Sequence, residues 1–467
     1  MVPGRLIWPP VARVAVGSGI LARLDPKTIF LALFALPLAC SRNERSGETV
    51  APAPSALSPA PSAAPSVSAS AAPSAAPADS GPVDAGTRDG GPVDSGEHSV
   101  STIRLDSGEP FDVRLPKGFS LRVVAQGMKR ARFMAKSPDG RLFVTDMHDM
   151  SDNRKGIVYV LDDFDAAAGK FGKITPYLSG LRNPNSVAFH TDGDKSWLYV
   201  ALTDRLVRYA YSAGDNAPSG APEVLATFPD YGLAYKYGGW HLTRTVTRGD
   251  DGKIYVAVGS SCNACEEKEE VRATVTQMDP DGKNSKIYVR GLRNAVGIRW
   301  AKDKLFATNM GADHLGDDAP DDTFFALKDG KSYGWPYCYH VRGNVLPDPK
   351  FEESTTKLDC NTVPRADASL SAHGAPLGLA YFDSASEVPA LRDSFLVALH
   401  GGSKLALGRG YRVVRVRGRK VDDFLTGFLK GGKVMGRPVD VLPAGPKSFF
   451  VTDDVRGAVY EVTFDGG

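Results

Sequence analysis

The sequence predicts an all-β fold, a six-bladed β-propeller, from three observations. An apolar alternating segment, a turn rich in Asp and Gly and a second alternating segment recur about every sixty residues after Phe119. Several copies are followed by a third alternating segment, and the same region has hardly any helical periodicity. Six similar sheets of short strands are typical of a propeller, whereas two β-sandwiches are the alternative interpretation.

Each blade is assigned from the second half of its repeat, which is the clearest part. The six copies are residues 137–146, 191–204, 248–260, 301–311, 382–401 and 442–454. An earlier segment, residues 118–124 (GFSLRVV), is separate from this series. We expect it to supply an outer strand that closes the ring against the last blade.

Residues 1–39 are predicted to be an export signal. Basic residues precede an apolar run at 29–39 (IFLALFALPLA), which is shorter than the roughly 20 residues that a membrane-spanning helix needs. Cys40 follows, and Leu-Pro-Leu-Ala-Cys resembles the bacterial lipobox, in which this cysteine becomes the lipid-modified N-terminus. The prediction is an exported lipoprotein anchored at the periplasmic side or cell surface, with the outer membrane favoured. An ordinary cleaved signal is the alternative.

Residues 40–100 are predicted to be a tether that leads to a folded domain at 101–467. Residues 51–78 are almost entirely Ala, Pro and Ser, and residues 79–96 add Asp and Gly. Such a composition has too little apolar surface to offset the entropy of ordering, so we expect a disordered, partly extended segment.

The net charge bears on which partners the protein could bind, and the cysteines bear on how they would pair in an oxidising compartment. The 56 basic and 54 acidic residues leave a net charge of +2, which gives no reason to expect a nucleic-acid partner. In an oxidising compartment, the economical pairing of the four cysteines after Cys40 is Cys262 with Cys265 and Cys338 with Cys360. A metal or haem site at Cys262-Asn-Ala-Cys265 is weaker, because no His follows and no second close pair completes a zinc site.

Cationic side chains recur just before the innermost strand of each predicted blade. They are Arg132, Arg182, His241, Arg293 with Asn294, His373 and Arg437. A propeller brings equivalent positions to one rim of its channel, so the sequence predicts a positive ring suited to a small polyanion. A histidine among arginines tends to be neutral near pH 7 and can act as a general base. We expect two or three of the six to be structural, paired with strand-end acids such as Asp146, Asp204 and Asp453.

Four motifs occur in order along the repeats: Gly239-Trp-His241 through Arg244, Gly291-Leu-Arg-Asn294, Gly311-Ala-Asp-His-Leu-Gly-Asp-Asp318 and Tyr333-Gly-Trp-Pro336. Together they resemble the soluble PQQ-dependent glucose and sorbosone dehydrogenases over about residues 110–465, and the four later cysteines look more like the sorbosone-type branch. The resemblance implies a six-bladed quinoprotein that uses pyrroloquinoline quinone (PQQ) and Ca²⁺ to oxidise an aldose or another sugar-like alcohol or aldehyde. The sequence has no haem-attachment motif, so an external electron acceptor is expected.

The resemblance also implies roles for individual residues. His241 would be the general base, and Arg293 with Asn294 would contact PQQ, the arginine stabilising negative charge as the quinone is reduced. Gly311 and Ala312 would offer carbonyl oxygens to Ca²⁺, a cation that prefers oxygen ligands. The further candidates around the cofactor are Arg437, Arg132, Arg182, His373 and Trp335.

The sequence departs from the glucose enzymes at several of these positions. Ala295-Val296 replaces Pro-Gln, Ala312 replaces a Pro, and Arg437 stands alone where an Arg-x-Arg is usual. The family's PQQ-binding Lys has no clear match, and its candidate replacements are Lys404, Arg409 and His400. The acidic residues of 313–322 fit either a second ion site or a solvated loop. A calcium-dependent lactonase and a propeller that binds glycans or proteins without catalysis are the alternative functions.

Overall fold

In the computed structural model, the described residues are 97–230, 241–354, 356 and 358–466. The predicted signal peptide, Cys40, the tether up to residue 96 and the segment 231–240 lie outside them. Among the described residues, no helix has the length and apolar character needed to cross a membrane.

The chain enters the described region through the hairpin β1 (His98–Ile103) and β2 (Phe111–Pro116), followed by β3 (Phe119–Ala125). Strand β1 therefore includes the last three residues of the segment assigned to the tether. Burial alternates along β2 and along the first half of β3, with Val113, Leu115 and Leu121 inside, as expected for strands with one face on a core.

The described residues form a six-bladed β-propeller, which confirms the predicted fold class. Blade 1 consists of β4 (Ala131–Lys136), β5 (Leu142–Asp146), β6 (Gly156–Asp165) and β7 (Lys170–Leu181). Blade 2 consists of β8 (Ser186–Asp192), β9 (Lys195–Ala201), β10 (Arg205–Tyr211) and β11 (Glu223–Thr227). Blade 3 consists of β12 (Arg244–Arg248), β13 (Ile254–Val258), β14 (Thr274–Met278) and β15 (Lys286–Arg290). Blade 4 is β16 (Ile298–Ala301), β17 (Lys304–Asn309), β18 (Asp322–Ala326) and, after the hairpin β19 (Cys338–Val341) and β20 (Asn344–Pro347), β21 (Ala368–Leu370). Blade 5 is β22 (Pro376–Phe382), β23 (Ser394–Leu399), β24 (Arg412–Arg417) and β25 (Lys420–Leu425).

Blade 6 closes the ring. After the small hairpin β26 (Leu429–Lys430) and β27 (Lys433–Val434), the chain adds β28 (Pro438–Gly445), β29 (Ser448–Asp453) and β30 (Ala458–Phe464). Strand β3 then pairs antiparallel with β30 as the fourth strand. This pairing confirms the outer strand predicted from residues 118–124.

The first strand of each blade lies innermost. A channel of about 280 Å³ is lined mainly by residues of β4, β8, β12 and β16, together with Leu442 of β28. Aromatic and aliphatic side chains fill the spaces between blades, as where Phe143 packs edge-on against Tyr177 and Phe189. The loops that precede the innermost strands therefore meet at one end of the channel, where the predicted site residues lie.

Both predicted disulfides are present, Cys262–Cys265 and Cys338–Cys360. The first lies in the loop after β13, and the second connects β19 to a short 3-10 turn at Cys360–Thr362.

Candidate active site

The six predicted cationic positions all lie at the starts of innermost strands, so they share one mouth of the channel, which we call the site mouth. Arg132 is the second residue of β4, and Arg437 immediately precedes β28. In three of the loops a residue other than glycine has a positive φ: Asn183 at 42°, His241 at 51° and His373 at 61°. Such backbone strain is concentrated at functional sites.

Arg182 is held by acids of its own neighbourhood. Its guanidinium donates to Asp152, with Nε 2.8 Å from Oδ1, and to Asp230 at 2.5 Å, and it lies 3.4 Å from Asp204. Its hydrogen bonds with Asp152 and Asp230 raise the pKa of Arg182. With three carboxylates around it, Arg182 has a structural role.

Arg132 is also held inside the protein, where it is only 4% exposed. Its Nη1 donates to Asp454 at 3.1 Å and its Nε to Asn185 at 3.1 Å. Asp454 additionally accepts from Arg130 at 2.8 Å and from His400 Nε2 at 2.9 Å. Burial favours the protonated carboxyl, but His400 and the two arginines outweigh it and lower the pKa of Asp454.

His373 is fixed through both ring nitrogens. Nδ1 lies 3.2 Å from Asp313 Oδ1, and Nε2 lies 2.7 Å from the carbonyl oxygen of Gly316. These two contacts connect His373 to both sides of the turn that follows Gly311, so His373 anchors this loop.

His241 has a different arrangement. Its Nδ1 lies 2.9 Å from both the carbonyl oxygen and the hydroxyl of Ser260, and that hydroxyl donates to the carbonyl oxygen of Cys262 at 2.7 Å. The hydroxyl hydrogen is thus engaged elsewhere, so Nδ1 is the donor and the basic lone pair belongs to Nε2. Burial and the nearby Arg293 lower the pKa of His241 well below its usual range, which keeps the ring neutral.

Asn294 and His241 are brought together over Gly259. A Cβ added at Gly259 would lie 2.5 Å from His241 Cβ and 2.6 Å from Asn294 Oδ1. Only glycine lets these two side chains approach in this way. The neighbouring Arg293 is buried and donates to Asn263 O and Oδ1, each at 2.8 Å, and to Asp313 Oδ2 at 3.2 Å.

Arg437 differs from the other arginines of the mouth. Its Nη1 donates to the carbonyl oxygen of Gly401 at 2.8 Å and lies 3.3 Å from His400 Nδ1, while its guanidinium lies 5.0 Å from the centre of the Tyr411 ring. No carboxylate of a described residue contacts its guanidinium. Arg437 therefore offers a positive charge to an anionic ligand without first breaking an ion pair.

Gly311 and Ala312 line a small pocket together with Arg293 and Trp335. Gly311 N donates to Asp322 at 2.8 Å, and Pro320 leaves no space for a Cβ at Gly311. Among the described residues, no hydrogen bond reaches the carbonyl oxygens of Gly311 or Ala312. Burial raises the pKa of Asp322, which supports this turn, to about 7. The two carbonyls match the oxygen donors that Ca²⁺ prefers.

The acidic loop is paired with blade 5. Asp317 contacts Lys404 at 2.6 Å and Asp318 contacts Arg409 at 2.5 Å. The third candidate replacement for a cofactor-binding Lys, His400, lies between Asp454 and Arg437. Two residues for which the sequence predicted no role at this site, Ser260 and Asn263, orient His241 and Arg293. Both lie in the segment 258–265 that carries the Cys262–Cys265 pair, which is the sequence signal for them.

The sequence profile of the TrAA12-like family matches residues 113–427. An uncharacterized protein of Borreliella burgdorferi is 27% identical over 225 residues, which are 46% of this chain and 58% of that protein. Among solved structures, the holo PQQ domain of pyranose dehydrogenase from Coprinopsis cinerea has a TM-score of 0.62 at 19% identity, covering 78% of this chain and 100% of its own. The calcium structure of the Trichoderma reesei family AA12 enzyme has a TM-score of 0.61 at 16% identity and covers 75% of this chain and 96% of its own. The PQQ-bound aldose sugar dehydrogenase of Streptomyces coelicolor has a TM-score of 0.51 at 22% identity and covers 75% of this chain and 99% of its own. At these identities the likeness is one of fold.

Proposed function

The chain belongs to the TrAA12-like family, and we propose that it is a PQQ- and Ca²⁺-dependent oxidoreductase that oxidises an aldose or a similar sugar-like alcohol or aldehyde. One observation carries the proposal: the neutral His241, with its lone pair on Nε2, lies at the site mouth beside Asn294 and the buried Arg293. A base next to anion-binding groups suits the removal of a hydroxyl proton during a hydride transfer.

The residues present fit the two groups. PQQ is a tricarboxylate, and Arg437 and Arg293 provide cations for it at the site mouth, with Trp335 beside Arg293 in the same pocket. The carbonyl oxygens of Gly311 and Ala312 would hold Ca²⁺. When bound, the quinone supplies a two-electron acceptor whose carbonyls the cation polarises.

The chain's own residues then have distinct tasks. His241 Nε2 receives the proton of the substrate hydroxyl, while the Nδ1 bonds to Ser260 keep the ring in the productive tautomer. Arg293 stabilises negative charge that develops next to it, because its burial removes the competing water. Electrons leave to an external acceptor.

The test uses purified apo-protein reconstituted with PQQ and Ca²⁺ and mixed with an artificial dye acceptor and a panel of aldoses. We expect PQQ to bind and at least one aldose to bleach the dye, and we expect no bleaching when PQQ is omitted. Failure to bind PQQ would overturn the proposal. Lactone hydrolysis without PQQ would overturn it in favour of a hydrolase.

We propose that this enzyme is an exported lipoprotein, anchored through Cys40 at the periplasmic side or the cell surface, with the outer membrane favoured. The support is the sequence of residues 29–40. Mass spectrometry of the mature N-terminus should find a lipid-modified Cys40, and Cys40→Ser should move the protein from the membrane to the soluble fraction. A mature N-terminus elsewhere would disprove the anchor.

A further inference from the structure

One loop, residues 260–265, contacts three separate parts of the site. We infer that Asn263 in this loop is a positioning residue that fixes the Arg293 guanidinium where it can meet the cofactor; the inference rests on the proposed function. Its contacts with Arg293 come from both its backbone and its side chain.

Asn263 makes four hydrogen bonds at the site. Its carbonyl oxygen accepts from Arg293 Nε at 2.8 Å and from Trp335 Nε1 at 3.2 Å. Its side-chain Oδ1 accepts from Arg293 Nη2 at 2.8 Å and from the backbone N–H of Asp313 at 2.9 Å. The two bonds to Arg293 approach the guanidinium at two different nitrogens, so together they set its orientation as well as its position.

Burial makes these bonds consequential. Arg293 is 4% exposed, and desolvation lowers its pKa despite the opposing effect of Asp313. When a buried guanidinium loses an acceptor, water cannot readily replace it, so we expect the guanidinium to shift toward another acceptor. Asp313 already accepts from Arg293 and also contacts His373, so a shift toward Asp313 would draw the cation away from its place beside Trp335.

The loop is held in place on both sides of Asn263, by a disulfide and by hydrogen bonds. The disulfide Cys262–Cys265 encloses residues 263 and 264, and Lys350 Nζ donates to the carbonyl oxygen of Ala264 at 2.5 Å. The hydroxyl of Ser260 donates to the carbonyl oxygen of Cys262 at 2.7 Å while accepting from His241. The same short loop therefore positions both the base, through Ser260, and the cation, through Asn263, and the disulfide constrains the part of the loop that holds Asn263.

The test is a double-mutant cycle on PQQ binding by the apo-protein, using Asn263→Ala and Arg293→Ala singly and together. We expect Asn263→Ala to raise the Kd for PQQ about 10-fold, the usual effect of one hydrogen bond to a charged group. We expect little further change when Arg293 is already absent, because Asn263 acts through it. A similar loss in both backgrounds, or no loss in either, would overturn the inference.

Two further variants and one structure sharpen the result. Asn361→Ala removes an exposed asparagine beside Cys360 of the other disulfide, where its Nδ2 donates to Asp359, and should bind PQQ like the wild type. Asn263→Asp keeps an acceptor at Oδ1 and should keep Arg293 in place in an apo crystal structure, whereas Asn263→Ala should displace it. An unmoved Arg293 in Asn263→Ala would refute the positioning role without any reference to PQQ. Wild-type apo-protein that binds no PQQ while Asn263→Ala displaces Arg293 would instead overturn the proposed function.

Discussion

Replacing Gly259 with alanine should damage the site through geometry alone. The new Cβ would lie 2.5 Å from His241 Cβ and 2.6 Å from Asn294 Oδ1, whereas ordinary contacts begin near 3.4 Å. One or both side chains must therefore retreat by about 1 Å, a displacement of a reacting group that typically costs about 100-fold in rate. Overpacking should cost the fold only about 1–3 kcal/mol, so the protein should remain folded.

The assay is dye-linked turnover at saturating PQQ and Ca²⁺, with urea unfolding of the same preparation. Gly220→Ala is the matched control, because a Cβ at Gly220 meets nothing within 4 Å, and it should turn over like the wild type. A Gly259→Ala protein with wild-type kcat would refute the argument that Gly259 holds His241 and Asn294 in register.

Three further predictions concern the site and its supports. His241→Ala should lower kcat by about 10²–10⁴-fold while leaving PQQ binding intact, as measured by turnover and by titration of the apo-protein; an unchanged kcat would exclude His241 as the base. Asp454→Asn should lower the free energy of unfolding, measured in urea, by about 3–5 kcal/mol, because it leaves the buried Arg132 without its carboxylate. The exposed control Asp317→Asn should lower it by at most about 1 kcal/mol. Equal losses in the two variants would contradict this account. Burial raises the pKa of Asp440 to about 6, so between about pH 4 and pH 6 the folded chain binds a proton that the unfolded chain has released, and stability should fall as pH rises through this window. Asp440→Asn should flatten that dependence in urea midpoints, and an unchanged slope would contradict the assignment.

The fold could be predicted because its signals are local. Alternation with period two and Asp-Gly turns such as Asp139-Gly140, where Gly140 has φ of 87°, mark each hairpin within a few residues of sequence. The position of the mouth residues also follows from the repeat, since it depends only on where each innermost strand begins. Residues 118–124 were predicted as the closing strand because their own alternation marks a strand and a propeller needs a strand that closes its ring.

The partners of the mouth residues could not be predicted in this way. Arg132 meets Asp454 across 322 positions of sequence, and which loops face each other there is decided by the whole ring. Asp146, Asp204 and Asp453 were expected to pair with the ring. Of these, Asp204 contacts the Arg182 guanidinium, Asp453 accepts from the backbone N–H of Arg437, and Asp146 accepts backbone N–H groups including that of Arg130. An aspartate at a strand end can accept a hydrogen bond from a backbone N–H or from a side-chain donor, and the sequence pattern is the same in both cases.

The strand β3 that completes the last blade has a consequence for biosynthesis. Its partner β30 is Ala458–Phe464, so the ring can be closed only after residues 458–464 have been made. A product cut short before residue 458 would carry two unsatisfied sheet edges, on β3 and on β29, and both would invite association with other chains. Correct closure of the propeller therefore depends on residues 458–464, which lie far in sequence from His241 and Arg293.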